Sequence, residues 1–348
     1  MTGEEMRKLF KEVDELQLKE VEVNLTTTGA NILYQGQPIK DYDCVYLKGS
    51  YKYMALLKSI ASVLAGKCYT PLTDMAFTIG HNKLLTHLKL QQESIPMPTT
   101  YISSTSKSAK NVLEKMDYPI VMKFPEGTQG KGVMFAESYS SASSMLDALS
   151  VLNQPFILQE FIDCDGQDIR AIVVGDKVVA SMKRSSGENE QRSNIHAGGT
   201  GEPVELDAFA KRVAVQTAKA LGAEICGVDI LQSVKGPLVI ELNLSPGLQG
   251  ITEYTKVNVA EKIAKYLHQQ TIKFVESKKN SGTDEIFKKM GIAGHENNGV
   301  RQVITHLDFR LERILLPDFV SKLARIKEEH EVCIKIKEGK ILIERLTK

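Results

Sequence analysis

Apolar positions recur at two spacings along this chain, and the switches between them outline alternating helices and strands. Met6, Leu9, Phe10, Val13 and Leu16 repeat at helical intervals, which predicts an amphipathic helix over Met1–Leu18. Short β-prone runs follow at Glu20–Leu25, Ile32–Tyr34 and Cys44–Leu47, then a helix over Met54–Ala65 and a strand near Cys68–Thr70. These make a small α/β unit whose usual opening strand is missing ahead of Met1. A helix over Asn82–Glu93 is closed by Pro96 and Pro98. Strand Thr99–Ile102, helix Ser108–Met116, strands Pro119–Phe124 and Val133–Ala136, helix Ser141–Leu152 and strand Phe156–Gln159 come next. Ile169–Val174 and Lys177–Lys183 flank Gly175-Asp176 as a hairpin, and Ser185–Gly201 reads as a polar loop over a site. Helix Asp207–Leu221 leads to a second hairpin, whose apolar runs meet at Gly236-Pro237. A helix over Thr252–Val275, a polar linker at Ser277–Thr283 and a small α+β module over Asp284–Lys348 complete the chain. That module is expected to end in strands Val332–Ile336 and Lys340–Glu344.

Composition adds bounds. The 348 residues suit two or three domains. A 42% hydrophobic and 25% charged make-up is that of an ordinary globular protein. A formal net charge of +1 gives no bulk attraction to nucleic acid or to a membrane, so neither is an expected partner. Cys44, Cys68, Cys164, Cys226 and Cys333 lack CxxC spacing and read as free thiols in a reducing, cytoplasmic setting. No apolar run is long enough for a membrane span, and the charged start is unlike a signal peptide.

Candidate chemistry concentrates on the second hairpin. Side chains two apart on a strand share a face, so Glu241 and Asn243 project together, and Asp229 can meet them from the partner strand. Three hard oxygen donors in one place suit Mg²⁺, which takes a few protein oxygens plus waters and nucleotide phosphates; alone, they could also be solvated polar residues on a hairpin. Upstream, Gly127, Gly130 and Gly132 lie between two strands, where missing Cβ atoms let backbone N–H groups approach phosphate. The loop is neither a Walker A sequence nor a Rossmann fingerprint; alone, it could be a tight turn. Lys123 ends an apolar strand, where an anion would repay its burial, although the side chain could also snorkel to solvent. Lys83 is a weaker candidate. Arg184, Arg192, Ser193 and Asn194 cluster in the polar segment and could hold a phosphate or carboxylate, or form a plain basic loop.

Seven segments in order extend the pattern. They are Val121-Met122-Lys123, Glu126–Val133, Gln159–Ile162, Gly166–Arg170, Arg192–Gly199 and Gly227–Leu231, followed by Glu241–Ile251. Their order and spacing over residues 80–270 resemble the ATP-grasp superfamily, specifically the RimK-type alpha-L-glutamate ligases. The resemblance implies an α+β ATP-grasp fold, two subdomains gripping ATP, over residues 80–275. A small N-terminal α/β pre-ATP-grasp domain (1–79) would precede it, and residues 284–348 would be an added α+β module of unassigned role.

The resemblance also implies roles. Lys83, Lys123 and the loop residues Gly127, Gln129, Gly130 and Gly132 would hold the ATP phosphates. Gln159, Glu160, Phe161 and Ile162 would form the hinge that binds adenine, with Asp168 near the ribose. Arg192, Ser193 and Asn194 would reach the nucleotide and the reacting phosphate. Arg170 and Arg184 would face the substrate carboxylate or acyl phosphate. Asp229, Glu241 and Asn243 would hold one or two Mg²⁺ ions, with Mn²⁺ as a substitute. The implied reaction makes an acyl phosphate from ATP and couples it to an amino acid, glutamate foremost, on a protein, coenzyme or carrier acceptor. The alternative is an ATP-grasp kinase that phosphorylates a metabolite without forming an amide; a non-catalytic nucleotide-binding module is the third class. A homo-oligomer is left open.

Overall fold

The computed structural model describes all residues except 104, 126–131, 151–155, 186–199, 290–294, 298–299, 303–307, 311–312, 317–319, 321–323, 325, 328–329, 339 and 347–348. By compactness the chain divides into Met1–Phe274 and Val275–Lys348.

Helix α1 (Thr2–Arg7) opens the first unit, followed by the antiparallel strands β1 (Val21–Thr26), β2 (Gly29–Tyr34) and β3 (Gln37–Pro38). The expected helix over Met1–Leu18 stops at Arg7 because its N-cap makes no side-chain bond and so short a helix is marginal alone. Phe10 instead packs edge-on against His268 at 5.2 Å between ring centroids. The expected strands at Cys44–Leu47 and Cys68–Thr70 shrink to one parallel bridge, Cys44 to Tyr69, because only a few ladder bonds form there. Helices α2 (Met54–Leu64), α3 (Asp74–Gly80) and α4 (Lys83–Gln92) follow. Thr73 and Asn82 cap α3 and α4, each side chain accepting a backbone N–H three residues on.

Two sheets carry the rest. The smaller has the order β4 (Thr100–Ser103), β7 (Phe156–Glu160), β5 (Ile120–Lys123), β6 (Val133–Ala136), covered by α5 (Ser106–Leu113) and α6 (Tyr139–Ser150). Strand alternation turns Ile120, Met122, Phe156 and Leu158 into the core under those helices, so Lys123 and Gln159 lie on the opposite face.

The larger sheet is wholly antiparallel. Its order is β10 (Thr200–Pro203), β9 (Lys177–Ser185), β8 (Gln167–Val174), β11 (Ile225–Ser233), β12 (Gly236–Asn243). Ile169, Ala171, Val173, Val228 and Ile230 face one core together with α7 (Ala208–Ala220). Ile172, Val174, Ala180, Met182 and Ile225 face another, shared with α8 (Gln249–Thr255) and the first turns of α9 (Val259–Lys289). A register shift after Asp229 leaves Ile240 without a partner, so Glu241 and Asn243 fall on the second face.

Helix α9 runs through the segment read as a polar linker. Its buried start (Val259, Ala260, Ile263, Ala264, Leu267) nucleates it, and once nucleated it propagates through Ser277–Thr283 although Asn280, Ser281, Gly282 and Thr283 are weak helix-formers. In the second unit, β13 (His295–Asn297) pairs β14 (Val300–Gln302), β15 (Asp308–Arg310) pairs β16 (Arg313–Leu315) and β17 (Val332–Lys337) pairs β18 (Lys340–Arg345), all antiparallel. No helix among the described residues is long and apolar enough to cross a membrane.

Candidate functional site

The face that is apolar under α8 and α9 turns polar at its other end. Asp168 and Arg170 continue the parity of Ile172 on β8, Arg184 that of Met182 on β9, and Asp229, Glu241 and Asn243 complete the row. Cross-strand pairs set the contacts: Asp168 opposite Arg184, Arg170 opposite Asp229, Asp229 opposite Glu241.

Arg170 donates from Nε and Nη2 to the two oxygens of Asp229 at 2.8 and 2.7 Å. Arg184 makes the same fork onto Asp168 at 2.6 and 2.5 Å, and its Nη2 also lies 3.0 Å from Asp229 Oδ2. Asn243 adds a bond from Nδ2 to Asp229 Oδ2 at 3.2 Å. Burial acts against the Asp229 charge, but the two arginines overcome it and bring its carboxyl down to about 2. Burial, reinforced by Asp229, moves Asp168 the other way, up to about 6. Arg170 and Arg184 are therefore turned onto Asp168 and Asp229, and Arg184 is only 6% exposed.

Glu241 differs from its neighbours. It accepts no hydrogen bond from a described residue, and burial raises its pKa against the opposing fields of Lys83, Arg170 and Lys123. The Asn243 amide oxygen likewise bonds to no described residue. Mg²⁺ fits this donor set through hard oxygens: Glu241 and Asn243 offer theirs, whereas Asp229 would first release an arginine contact. Among the described residues no three acidic, cysteine or histidine side chains gather as a metal cluster. A two-carboxylate site that relies on water and phosphate for its remaining ligands is the kind Mg²⁺ accepts.

Lys123 faces Glu241 from the smaller sheet. Its Nζ donates to Gln159 Oε1 at 2.6 Å, and burial, aided by Lys83, lowers it to about 8 despite Glu241. Lys83 opens α4, and its backbone N–H donates to Pro125 O at 2.9 Å, tying the helix to the end of β5. Glu160 accepts from the Thr99 N–H at 2.8 Å, and Phe161 meets Phe135 edge-on at 6.1 Å. The Ile162 carbonyl accepts from Cys164 Sγ at 3.4 Å. Gly132 holds a φ of +79°, and a Cβ there would lie 2.8 Å from the Phe124 ring. Gly127, Gln129, Gly130, Arg192, Ser193 and Asn194 lie outside the described residues.

Several neighbours were not expected from the sequence. His87 sits 2% exposed behind Gln159. Its signal was a polar residue at a buried phase of α4. A cavity of about 220 Å³ adjoins Glu241 and Asn243, lined also by Ser50, Tyr51, His81 and Lys83, and smaller than the roughly 300 Å³ of ordinary ligand clefts. His81 Nε2 is buried with no partner among the described residues, and burial lowers its pKa. Lys48 Nζ donates to Pro246 O at 2.8 Å and the Gly49 N–H to Ser245 Oγ at 3.1 Å, docking the N-terminal segment beside the cavity. No local motif announces these contacts, since they join residues about two hundred positions apart.

Residues 80–267 match the family model described as a RimK-like ATP-grasp domain. A probable alpha-L-glutamate ligase of Picosynechococcus sp. is 37% identical over 253 residues, covering 71% of this chain and 83% of that relative. One from Marinomonas sp. is 34% identical over 278 residues, covering 79% and 91%. Among solved structures, the ATP-grasp ligase PsnB complexed with a minimal precursor superposes with a TM-score of 0.62 at 20% identity, over 77% of this chain and 94% of that one. The D-alanine–D-alanine ligase of Bacillus anthracis complexed with ATP gives 0.53 at 17% identity, over 69% and 82%.

Proposed function

The chain belongs to the RimK-like ATP-grasp family, and on that premise we propose that it couples an amino acid, glutamate foremost, to a carboxylate-bearing acceptor. As a member of that family it is an ADP-forming carbon–nitrogen ligase. The names of its curated relatives support glutamate as the amino acid. In the proposed reaction an acceptor carboxylate oxygen attacks the γ-phosphorus of ATP and ADP leaves. The amine nitrogen then attacks the acyl carbon, phosphate leaves, and the nitrogen loses a proton.

Glu241 carries this reading. A largely buried carboxylate with no hydrogen-bond donor among the described residues, in the field of two lysines, is an expensive arrangement unless a cation and phosphates complete it. Lys83 and Lys123 would neutralise phosphate charge, and Asp229, Glu241 and Asn243 are the proposed Mg²⁺ ligands. When bound, Mg²⁺ would supply positive charge that offsets the charge building on the transferred phosphate. On sequence grounds Gly127, Gln129, Gly130 and Gly132 are assigned to the phosphates, and Arg192, Ser193 and Asn194 to the nucleotide and reacting group. Gln159, Glu160, Phe161 and Ile162 are assigned to adenine, and Asp168 to the neighbourhood of the ribose. Arg170 would swing from Asp229 to the substrate carboxylate, with Arg184 as the brace that keeps Asp229 charged.

The test is ADP release with ATP and Mg²⁺ against each of the twenty amino acids, with mass spectrometry of candidate acceptors. Stimulation by glutamate and a product heavier by one glutamyl residue is expected. A phosphorylated product without an amide would overturn the reading in favour of a kinase.

A further inference from the structure

A chain of hydrogen bonds runs behind Lys123, and its two carbonyl ends fix every proton in it. His87 Nδ1 lies 2.6 Å from the Lys83 carbonyl oxygen, which can only accept, so Nδ1 carries the ring proton. His87 Nε2, 2.9 Å from Gln159 Nε2, is then a bare lone pair and must accept. At the other end Thr100 Oγ1 donates to the Pro98 carbonyl at 2.8 Å, so its oxygen accepts from the same Gln159 Nε2 at 2.9 Å. Both amide protons of Gln159 are thus spoken for, and Oε1 is left pointing at Lys123 Nζ, 2.6 Å away.

The opposite amide orientation fails everywhere at once. It would set an oxygen against the His87 lone pair and an NH₂ group against an ammonium. Gln159 and His87 are each 2% exposed, so water cannot step in to repair the mismatch. Among the described residues the Lys123 ammonium bonds only Gln159, and an ammonium has three protons to give.

We propose that His87 is a positioning residue for nucleotide binding. Held with its proton on Nδ1, it locks the Gln159 amide, which aims the Lys123 ammonium and ties it to the start of α4, where Lys83 sits. The proposal rests on the reading of Lys123 as a phosphate contact. It gives the α4 histidine a task that packing alone would not require, because leucine would fill an apolar helix face more cheaply. The groups facing His87 are cationic, Lys83 on its own helix and Lys123 across the sheet, so a second proton on the ring is disfavoured. A ring proton on Nε2 would flip the Gln159 amide and turn its NH₂ toward Lys123.

The experiment is a double-mutant cycle on the full chain, reading ATP affinity and the separate effects on KM and kcat. Lys123→Ala is expected to weaken ATP binding about tenfold or more, and His87→Leu several-fold, chiefly in KM. In the Lys123→Ala background His87→Leu is expected to add nothing, since no ammonium remains to aim. His87→Gln, whose amide oxygen can accept from Gln159, is expected to recover most of the affinity. Additive losses, or a His87→Leu enzyme with wild-type affinity, would overturn the proposal while leaving Lys123 in place. Unchanged affinity in Lys123→Ala would overturn the phosphate reading itself, and the proposal with it. Independently of any variant, ring-nitrogen NMR of the wild-type chain at neutral pH is expected to find His87 protonated on Nδ1 alone. A proton on Nε2 would overturn the proposal.

Discussion

Charge decides matters at the residue scale. Asp229 and Glu241 face each other across adjacent strands, yet one is saturated by arginines and the other accepts nothing from a described residue. The difference is geometric: Asp229 lies opposite Arg170, whereas Glu241 is on the last strand and has no such neighbour beyond it. Removing the Glu241 charge should therefore cost function before stability. Glu241→Gln is expected to lose Mg-dependent turnover by at least about a hundredfold while its thermal midpoint stays the same or rises, as relief of a buried charge predicts. Unchanged turnover would remove Glu241 from the metal set. A second expectation concerns His87, whose burial lowers its pKa to about 4. Between that value and the unfolded pKa of about 6.5, the unfolded chain binds a proton that the folded chain refuses, so this term loses stability as pH falls through the window. His87→Gln lacks the term. Its stability relative to wild type should improve by on the order of 3 kcal/mol from pH 7 to pH 4, read by urea unfolding at each pH. Comparing the two proteins cancels Asp168, whose raised pKa works in the opposite sense.

At the scale of elements, alternation and register do most of the positioning. Lys123 and Gln159 come to one face of the smaller sheet because Ile120, Met122, Phe156 and Leu158 claim the other for α5 and α6. That much was legible in the sequence, where Lys123 ends an apolar run. The hairpin of β11 and β12 was legible too, from its Gly236-Pro237 turn, but the unpaired Ile240 was not. Without that bulge Glu241 and Asn243 would share the face of Val239 and turn into the core beneath α7. Short apolar runs were over-read as strands at Cys44–Leu47 and Cys68–Thr70, because alternation reports a pleated face but not whether a partner strand is present to complete a ladder. The glycine-rich connection gives a test at this scale. Gly132 combines a left-handed φ with a would-be Cβ 2.8 Å from the Phe124 ring. Gly132→Ala is expected to destabilise the chain by about 1–2 kcal/mol and to weaken ATP binding. A variant with wild-type melting and affinity would show that the turn has no such need.

At the scale of the whole molecule, every described residue of the candidate site lies in the unit Met1–Phe274. Deleting residues 290–348, beyond the end of α9, is expected to leave ATP-dependent ADP release within about twofold of the full chain. A folded but inactive truncation would mean that the second unit completes the site. The sequence by itself determined the family, the ATP-grasp architecture and the residue types at the site, because seven motifs in fixed order encode local turns and strand ends, and local chemistry is what a sequence states directly. It also determined that Glu241 and Asn243 project together and that Asp229 can meet them from the partner strand. Only the tertiary structure decided how those groups pair. Whether an arginine meets a substrate or an aspartate, whether a carboxylate is answered or left waiting, and which way Gln159 turns its amide all depend on contacts between distant segments. His87, Gln159, Thr100 and Lys123 lie on four different elements, and no spacing in the chain encodes the hydrogen bonds that join them.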